Sequence, residues 1–337
     1  MDVIRVDNLV KVYRDGTRAV DDVSFEVAEG ELFGFLGPNG AGKTTAIRVL
    51  VTLLPKTSGT ATVGGFDVAR QGEAVRRIVG YAGQFIGIDI DLTAEENLVL
   101  QGRLHGMPKA RAAERSGELL ELFALSDVAG KRAGAFSGGM RKRLDLAQAL
   151  VHEPPLLFLD EPTSGLDVQT RNALWAHLED LNREGTTIFL TTQYLEEADR
   201  LCGRLAIIDH GKIVVEGSPE GLKDRLGGEV VEVTLPEDSG DDAIERAARA
   251  LQSVPGAGNP TIFDHSVAIP VPDAGRSLSD LVRRLDEAGV TVEKLNFSRP
   301  TLDEVFLKFT GERMRVEETA SVPQSSMGMM TRRARRG

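Results

Sequence analysis

The sequence contains a glycine-rich segment that is suited to binding phosphate groups. Residues 37–44 read GPNGAGKT and match the pattern G-x-x-x-x-G-K-[ST]. The glycines of this pattern allow successive backbone N–H groups to curl around phosphate oxygens, and the helix that follows adds partial positive charge at its N-terminus. Lys43 is placed to contact the β- and γ-phosphates, and the Thr44 hydroxyl is a ligand for Mg²⁺. The segment therefore predicts a bound nucleoside triphosphate with Mg²⁺.

Two adjacent acidic residues follow an apolar run that we predict to be a buried strand. The run at 156–160 reads LLFLD, so that Asp160 ends it and Glu161 comes next. An aspartate at the carboxyl end of such a strand can hold Mg²⁺, directly or through water. The neighbouring glutamate is then placed to accept a proton from an attacking water. We interpret Asp160 as a magnesium ligand and Glu161 as the general base.

Elements of an α/β sheet protein must position these residues. Buried strands are predicted at 31–36, 156–160, 187–191 and 205–209, and a turn at His210-Gly211 leads into a hairpin partner at 212–216. Between residues 93 and 150 the strand pattern gives way to Ala, Leu, Glu and Arg at helical spacing. We interpret that stretch as an inserted helical subdomain.

A second, smaller unit is predicted beyond the glycine pair at 227–228. Its pattern is strand 229–235, helix 241–252, strands 261–263 and 266–271, helix 276–288 and strand 290–296, with a closing helix at 301–309. This β-α-β-β-α-β order is typical of a split-βαβ domain. We expect a nucleotide-binding domain at 1–226 with a helical subdomain at about 90–150, a C-terminal α+β domain for regulation or dimer contact at 227–310, and a flexible, basic-ended tail at 311–337.

A third motif completes a set that is specific to one family. Ser137-Gly138-Gly139 precedes an amphipathic helix, and taken alone it predicts only a helix N-cap. Together with the phosphate-binding segment and the acidic pair, it makes the chain resemble the nucleotide-binding subunit of an ATP-binding-cassette (ABC) transporter over roughly residues 2–220. The resemblance implies a P-loop NTPase fold and ATP with Mg²⁺ as cofactors. It also implies two cassettes packed head to tail, in which Ser137 and Gly139 of one chain contact the γ-phosphate held by Lys43 of the other.

The resemblance implies roles for further residues. Tyr13 matches the aromatic residue that stacks on adenine, and Gln84 matches the glutamine that touches Mg²⁺ and the attacking water while sensing the membrane partner. Ser164-Gly165-Leu166-Asp167 matches the loop that communicates between two subunits. The candidate ATP-binding residues are Tyr13, Gly37, Pro38, Asn39, Gly40, Ala41, Gly42, Lys43, Thr44, Thr45, Ser137, Gly138 and Gly139. The candidate catalytic residues are Glu161, Gln193 and Gln84, and the candidate metal ligands are Thr44, Gln84 and Asp160.

Two positions depart from the common family pattern. Met140 stands where the signature usually has glutamine, which removes a side-chain amide but leaves the serine and the backbone donors. Gln193 stands at the place of the switch histidine. Its amide can still donate a hydrogen bond to the γ-phosphate, but it cannot become a cation or carry a proton.

The same departures point to one branch of the family. The segments SGGMRKRLDLA, TTQYLEEAD and RPTLDEVF resemble the daunorubicin/doxorubicin-resistance type of ATPase. That branch energises exporters of drugs, antibiotics or lipids that have separate membrane-spanning subunits. The resemblance implies a homodimer on the cytoplasmic side of the cell membrane, bound peripherally to such permease subunits.

Composition limits the other classes of function. The 51 acidic and 40 basic residues give a net charge of −11, which argues against a nucleic-acid partner. The single cysteine, Cys202, fits a reducing compartment, and the longest uncharged stretch, 250–263, is broken by Pro and Gly and too short to cross a bilayer. No secretory signal is recognisable at the start.

Two alternatives remain open beside the exporter subunit. The first is a cassette ATPase that acts on nucleic acid or ribosomes, which the single cassette and the acidic charge disfavour. The second is a nucleotide-gated binding module with little turnover. The intact pair Asp160-Glu161 disfavours this module, whereas Gln193 keeps it open.

Overall fold

The computed structural model describes residues 2–84, 87–225, 229–236, 239–263, 265–298 and 300–310. The predicted tail at 311–337, the glycine pair at 227–228 and the first residue of the RPTLDEVF segment lie outside the described residues. Within the described ranges, no helix combines the length and the apolar character that crossing a membrane requires.

The chain begins with two sheets that share one hydrophobic core. In chain order the elements are β1 (Asp2–Val12), β2 (Arg18–Ala28), β3 (Leu32–Leu36), α1 (Lys43–Leu50), β4 (Ser58–Val63), β5 (Phe66–Asp67), α2 (Gly72–Ile78) and β6 (Val79–Ala82). An antiparallel sheet has the strand order β2-β1-β4-β5. Its apolar face packs against a larger sheet through the rings of Phe25, Phe33 and Phe189, whose centroids lie 5.5 to 5.7 Å apart. This core fixes the position of the loop between β3 and α1.

Helices occupy the stretch that lacked a strand pattern. They are α3 (Ala94–Leu104), α4 (Lys109–Leu122) and α5 (Gly138–Ala149), with two short 3₁₀ turns at Ser126–Val128 and Ala133–Ala135. A capping box begins α3, since Thr93 Oγ1 accepts from the Glu96 N–H at 3.1 Å and Glu96 Oε2 accepts from the Thr93 N–H at 2.8 Å. The only strand pairing in this fully described stretch is an isolated bridge between Thr93 and Arg132.

In the larger sheet, the strand ends that precede the candidate site residues lie at one edge. The remaining elements of the first part are β7 (Leu156–Asp160), α6 (Val168–Arg183), β8 (Thr187–Thr192), α7 (Leu195–Leu201), β9 (Arg204–Asp209), β10 (Lys212–Gly217) and α8 (Pro219–Asp224). The strand order is β10-β9-β3-β8-β7-β6, and only the hairpin partner β10 is antiparallel to its neighbour. Because the other five strands are parallel, the residues that follow β3, β6, β7 and β8 meet at the same edge, where open α/β sheets bind ligands.

The C-terminal part forms an antiparallel sheet with its own core. Its elements are β11 (Glu229–Thr234), α9 (Asp241–Gln252), β12 (Thr261–Phe263), β13 (Ser266–Val271), α10 (Ala274–Glu287) and β14 (Lys294–Ser298). The strand order β12-β13-β11-β14 is that of a split-βαβ unit. Two predicted boundaries were wrong. Asp273 caps α10, which therefore starts before residue 276, and Val290 packs into the core ahead of β14, so that the strand starts later than predicted.

The last described helix returns to the first part of the chain. This helix, α11 (Leu302–Thr310), contacts α7, α8 and β10, and its buried Leu302, Val305 and Phe306 belong to the core beneath the helical subdomain. Lys308 also donates to the Arg225 carbonyl at 2.9 Å. The closing helix that the sequence analysis assigned to the C-terminal unit thus packs against the nucleotide-binding part.

Candidate active site at the carboxyl edge of the parallel sheet

The loop from β3 to α1 leads into a helix whose first backbone N–H groups are not capped by any side chain. Gly42 begins α1 with a left-handed φ of 106°, and no side chain caps the helix. The first N–H groups of α1 therefore have no intrahelical partners. A Cβ at Gly42 would lie 2.1 Å from the Ala19 carbonyl oxygen, and one at Gly37 would lie 2.3 Å from the Ile208 carbonyl oxygen. Glycine is required at both ends of a loop that remains free to receive an anion.

Lys43 is a buried cation whose present partners are weaker than a phosphate. Its side chain is 4% exposed, and Nζ donates to the carbonyl oxygens of Gly37 at 2.7 Å and Pro38 at 3.0 Å. Nζ also lies 3.3 Å from Glu161 Oε1. Burial lowers the pKa of Lys43, and the Glu161 carboxylate opposes that effect. An entering triphosphate would compete with this carboxylate for the same ammonium group.

Asp160 has an oxygen available for a cation. The side chain is fully buried, and Oδ1 accepts hydrogen bonds from the hydroxyls of Thr44 at 3.0 Å and Thr191 at 2.6 Å. Among the described residues, Oδ2 has no hydrogen-bond partner. A buried carboxylate oxygen without a partner is costly, and a hard divalent cation that prefers oxygen ligands relieves that cost. The carboxylate and the adjacent Thr44 hydroxyl therefore fit Mg²⁺.

The backbone aims Glu161 into the same space. Its φ is 50°, in the left-handed region that costs a non-glycine residue about 1 kcal/mol or more, and its N–H donates to the Thr191 carbonyl at 3.0 Å. The side chain is 5% exposed. This conformation turns the chain sharply at the end of β7 and brings the carboxylate to Lys43 rather than to solvent.

Two glutamines lie at the ends of other strands. Gln193 follows β8 and is 5% exposed, and its Oε1 has no hydrogen-bond partner within the described part of the chain. Gln84 follows β6 and is exposed, and the two residues after it lie outside the described residues. Neither glutamine hydrogen-bonds to Lys43, Asp160 or Glu161 among the contacts of the described residues.

Tyr13 lies just beyond β1 and beside the phosphate-binding helix. Its hydroxyl is 3.1 Å from Thr45 Oγ1, and Lys11 Nζ lies 5.5 Å from the ring centroid. The side chain is 37% exposed, so the anchored ring keeps surface that a flat base can cover. This placement is consistent with the predicted stacking role.

The Ser137 motif faces solvent instead of its own phosphate loop. Ser137 caps α5, and its Oγ accepts from the Met140 N–H at 3.3 Å. Ser137 and Gly138 are exposed. A Cβ at Gly139 would meet the side chains of Leu166 and Thr170 at 3.8 and 3.9 Å, which places the motif next to the loop before α6. The N-terminus of α5 is therefore accessible to another molecule.

Sequence reasoning missed two buried charged residues on α5. Lys142 is 5% exposed and donates to the Gly83 carbonyl at 2.9 Å, and Asp145 is 6% exposed and accepts from the Gly87 N–H at 2.8 Å. Burial lowers the pKa of Lys142 and raises that of Asp145. Lys142 therefore binds the backbone just before Gln84, and Asp145 binds the backbone three residues after it. A lysine and an aspartate three residues apart on an otherwise apolar helix face were the available signal.

Sequence reasoning also missed two residues that lie on either side of Gln193 in the sequence. Thr191 holds both Asp160 Oδ1 and the Glu161 N–H, the latter at 3.2 Å through its hydroxyl. Glu197 on α7 is fully buried and accepts from Trp175 Nε1 at 3.0 Å, and burial raises its pKa. The periodic pattern of α7 gave no sign that a carboxyl group lies inside the core.

Comparisons with known proteins agree on one family. A family model described as ABC transporter matches residues 20–164, and one described as ATP-binding protein DrrA1-3-like, C-terminal domain, matches residues 217–310. The chain is 45% identical to the daunorubicin resistance ATP-binding protein DrrA3 of Streptomyces coeruleorubidus over 94% of this chain and 98% of that protein. It is 44% identical to the doxorubicin resistance ATP-binding protein DrrA of Mycobacterium tuberculosis over 90% of this chain and 92% of that protein.

A solved structure supports the same assignment of the fold. The dimeric structure of a bacterial ABC transporter cassette is 27% identical to this chain, with a TM-score of 0.60. The match covers 64% of this chain and 98% of the other. The predicted P-loop NTPase fold with a small additional α+β part is confirmed, and the comparisons give no support to an ATPase that acts on nucleic acid or ribosomes.

Proposed function

Because the chain belongs to the ABC transporter family of ATP-binding subunits and is an ATP hydrolase of that family, we propose that its turnover drives export of a drug, antibiotic or lipid through separate membrane-spanning subunits. The observation that carries the proposal is the contact network of Lys43, Thr44, Asp160 and Glu161 at the carboxyl edge of the sheet. The direction of transport is supported by relatives named for resistance to daunorubicin and doxorubicin. Removal of a drug from the cytoplasm is the simplest way for a transporter to confer resistance.

ATP binding is assigned to the loop before α1 and to Tyr13. The uncapped N–H groups and the positive end of α1 suit the phosphates, and Lys43 suits the β- and γ-phosphates. The anchored ring of Tyr13 suits the adenine base. Thr44, Asp160 and Gln84 would hold Mg²⁺, which neutralises charge on the β- and γ-phosphates when bound.

Hydrolysis requires the Lys43–Glu161 pair to separate. While the carboxylate lies 3.3 Å from the ammonium group, it is a poor proton acceptor for water. A γ-phosphate at Lys43 takes over the ammonium group and releases Glu161, which then accepts the proton of the attacking water. The buried amide of Gln193 is suited to donate one hydrogen bond to the γ-phosphate.

A second copy of the chain completes the site in this proposal. The exposed N-terminus of α5, with Ser137 and Gly139, presents unpaired N–H groups and a positive dipole end to an anion on another subunit. The solved dimeric cassette is consistent with a homodimer. We place this dimer on the cytoplasmic side of the cell membrane, bound to permease subunits.

The test compares hydrolysis and transport in the same preparation. Inside-out membrane vesicles carrying this chain and its permease would be supplied with ATP, Mg²⁺ and fluorescent daunorubicin. Lys43→Ala should abolish phosphate release and ATP-dependent drug uptake, whereas the control Lys109→Ala, at the exposed start of α4, should change neither. Full uptake by Lys43→Ala would disprove the assigned ATP site, and hydrolysis without uptake of any tested drug or lipid would disprove the export function.

A further inference from the structure

One buried hydroxyl group contacts both acidic residues of the candidate site. Thr191 lies near the end of β8 and is 0% exposed, and its Oγ1 donates to Asp160 Oδ1 at 2.6 Å. The same oxygen accepts from the Glu161 N–H at 3.2 Å. Because that N–H occupies a lone pair of the hydroxyl, the hydroxyl proton remains available to the carboxylate. A single side chain thus links the candidate magnesium ligand to the backbone of the candidate base.

The packing of β8 does not by itself require a hydroxyl at this position. Thr191 lies on the same face of the strand as Phe189, and its direct neighbours are Asp160 on β7 and Phe35 on β3. Phe35 and Phe189 belong to the apolar core on that face. Valine has nearly the same shape as threonine and also favours strands, and burying a hydroxyl is costly unless it is hydrogen-bonded. The threonine is therefore explained by the contacts that its hydroxyl makes with the two acidic residues.

The hydroxyl determines which oxygen of Asp160 is free. Oδ1 accepts from Thr191 and from Thr44, whereas Oδ2 has no hydrogen-bond partner among the described residues. Rotation of the carboxylate would exchange the two oxygens, and the short bond from Thr191 opposes that rotation. Hydrogen-bond partners orient metal-binding carboxylates in this way, and their loss typically costs about 10- to 100-fold in metal affinity or activity. Oδ2 is thereby kept available for Mg²⁺.

The same side chain stabilises the turn that carries Glu161. The left-handed φ of Glu161, 50°, is unfavourable for a residue with a Cβ, and such a conformation persists only where the surrounding structure holds it. The Glu161 N–H donates to the Thr191 carbonyl at 3.0 Å and also to the Thr191 hydroxyl at 3.2 Å. Removing the hydroxyl would leave this N–H with one of its two acceptors.

We propose that Thr191 is a positioning residue for ATP hydrolysis, whose hydroxyl keeps Asp160 Oδ2 available to Mg²⁺ and holds the turn that places Glu161. The inference rests on the proposed function, because it takes Asp160 as the metal ligand and Glu161 as the base. Among the contacts of the described residues, the hydroxyl reaches only Asp160, Glu161 and, at 3.5 Å, the Leu159 carbonyl. Thr191 therefore acts through the two acidic residues.

The first measurement is metal binding, which does not depend on turnover. The full chain is saturated with a non-hydrolysable ATP analogue, Mn²⁺ is titrated in place of Mg²⁺, and free Mn²⁺ is followed by electron paramagnetic resonance. Thr191→Val should bind Mn²⁺ about 10- to 100-fold more weakly than the parent, and Thr191→Ser, which keeps the hydroxyl, should bind it as the parent does. Thr191→Ala takes the place of the valine variant if that variant does not fold. Parent-like affinity without the hydroxyl, or a serine variant as weak as the valine variant, overturns the proposal.

Thr187→Val is the matched control, because it removes a buried hydroxyl from the other end of the same strand. Thr187 is 2% exposed, and its Oγ1 accepts from the Gly30 N–H at 2.8 Å. Both valine variants lose a buried hydrogen bond, but only Thr191→Val should weaken Mn²⁺ binding. Equal weakening in the two variants would reveal a merely structural effect and overturn the proposal.

Steady-state phosphate release tests the part of the proposal that concerns Glu161. At saturating Mg²⁺, Thr191→Val should keep the KM for ATP and lower kcat about 10-fold or more, because the turn that places Glu161 has lost an acceptor. A parent-like kcat under these conditions overturns that part.

Failure of the proposed function gives a different result. If the parent chain does not hydrolyse ATP, or if Asp160→Asn leaves Mn²⁺ affinity unchanged, the assigned site itself fails. If the parent hydrolyses ATP and Asp160→Asn weakens Mn²⁺ binding while Thr191→Val does not, only the role of Thr191 fails.

Discussion

Replacing Glu161 by glutamine removes a charge from the most buried ion pair of the described residues while keeping the volume of the side chain. Lys43 is 4% exposed and Glu161 5% exposed, and their charged atoms lie 3.3 Å apart. At an effective dielectric constant of 20, two charges at that separation attract by about 5 kcal/mol. The amide cannot replace this attraction. Lys43 then stays buried with only neutral acceptors, which are the carbonyl oxygens of Gly37 and Pro38 and the amide oxygen of the new glutamine.

The expected loss of stability follows from that arrangement. Removing one partner of a buried pair costs about 3–5 kcal/mol, and we take the lower end because the carbonyls remain. At about 2–4 °C per kcal/mol for a unit of this size, Glu161→Gln should lower the Tm of the nucleotide-free chain by roughly 6–12 °C. The γ-phosphate supplies the missing negative charge, so the difference should nearly vanish with a bound triphosphate.

The assay is thermal unfolding by calorimetry with and without Mg²⁺ and a non-hydrolysable ATP analogue. Glu73→Gln is the matched control, because it makes the same chemical change in an exposed pair with Arg77 and should shift Tm by less than about 4 °C. The analogue should also bind more tightly to Glu161→Gln, since no carboxylate competes for Lys43. An unchanged Tm without nucleotide, or a deficit that persists with it, would refute the competition between carboxylate and phosphate.

Two further predictions concern other parts of the chain. Gln193→Ala should reduce turnover by one to two decades, from the loss of one hydrogen bond to a charged group worth about 1.5–3 kcal/mol, while Gln193→His should be tolerated and add a pH dependence near about pH 6–7. Steady-state phosphate release between pH 5.5 and 8.5 checks both, and equal rates for Gln193→Ala and the parent would exclude a γ-phosphate contact. His152, whose folded pKa is about 4 against 6.5 in the unfolded chain, should bind its proton first in the unfolded state as pH falls. The contribution of His152 to the free energy of unfolding should therefore be fully present above about pH 6.5 and should fall by on the order of 2–3 kcal/mol toward pH 4. Urea unfolding at each pH measures this free energy, and His152→Gln should flatten its pH dependence in that range. A pH dependence that the substitution leaves unchanged would contradict the prediction.

Most of the sheet edge could be predicted because its signals are local. The glycines before Lys43 are required by turns and close approaches that no other residue allows. The apolar run that ends in Asp160 predicts a buried strand and, at the same time, places Asp160 at the carboxyl end of that strand. Each motif therefore identifies its own element. The parallel order of the strands then brings them together without further information from the sequence.

The parts that escaped prediction depend on contacts between distant segments. Nothing near Lys142 or Asp145 indicates that their partners are Gly83 and Gly87 across the subdomain boundary. The start of β14 was misplaced because Val290 reads as a strand residue, although it packs into the core ahead of the strand. Burial of a charged group and the last turn before a strand are decided by tertiary packing, which outweighs local propensity.

The return of α11 to the nucleotide-binding part makes the C-terminal unit an insertion rather than an appendage. Residues 229–298 leave after α8 and come back at α11, and these two helices pack on each other. A stop codon after residue 298 would strip Leu302, Val305 and Phe306 from the core, and at about 2–5 kcal/mol for a large side chain such as Leu302 or Phe306 we expect the cassette to be strongly destabilised. Excising the inserted unit and bridging its ends with a short glycine-serine loop would cost little, since loop-closure entropy varies slowly with length. We therefore expect a minimal cassette to retain more stability when residues 229–298 are excised and α11 is kept than when the chain is shortened from its end.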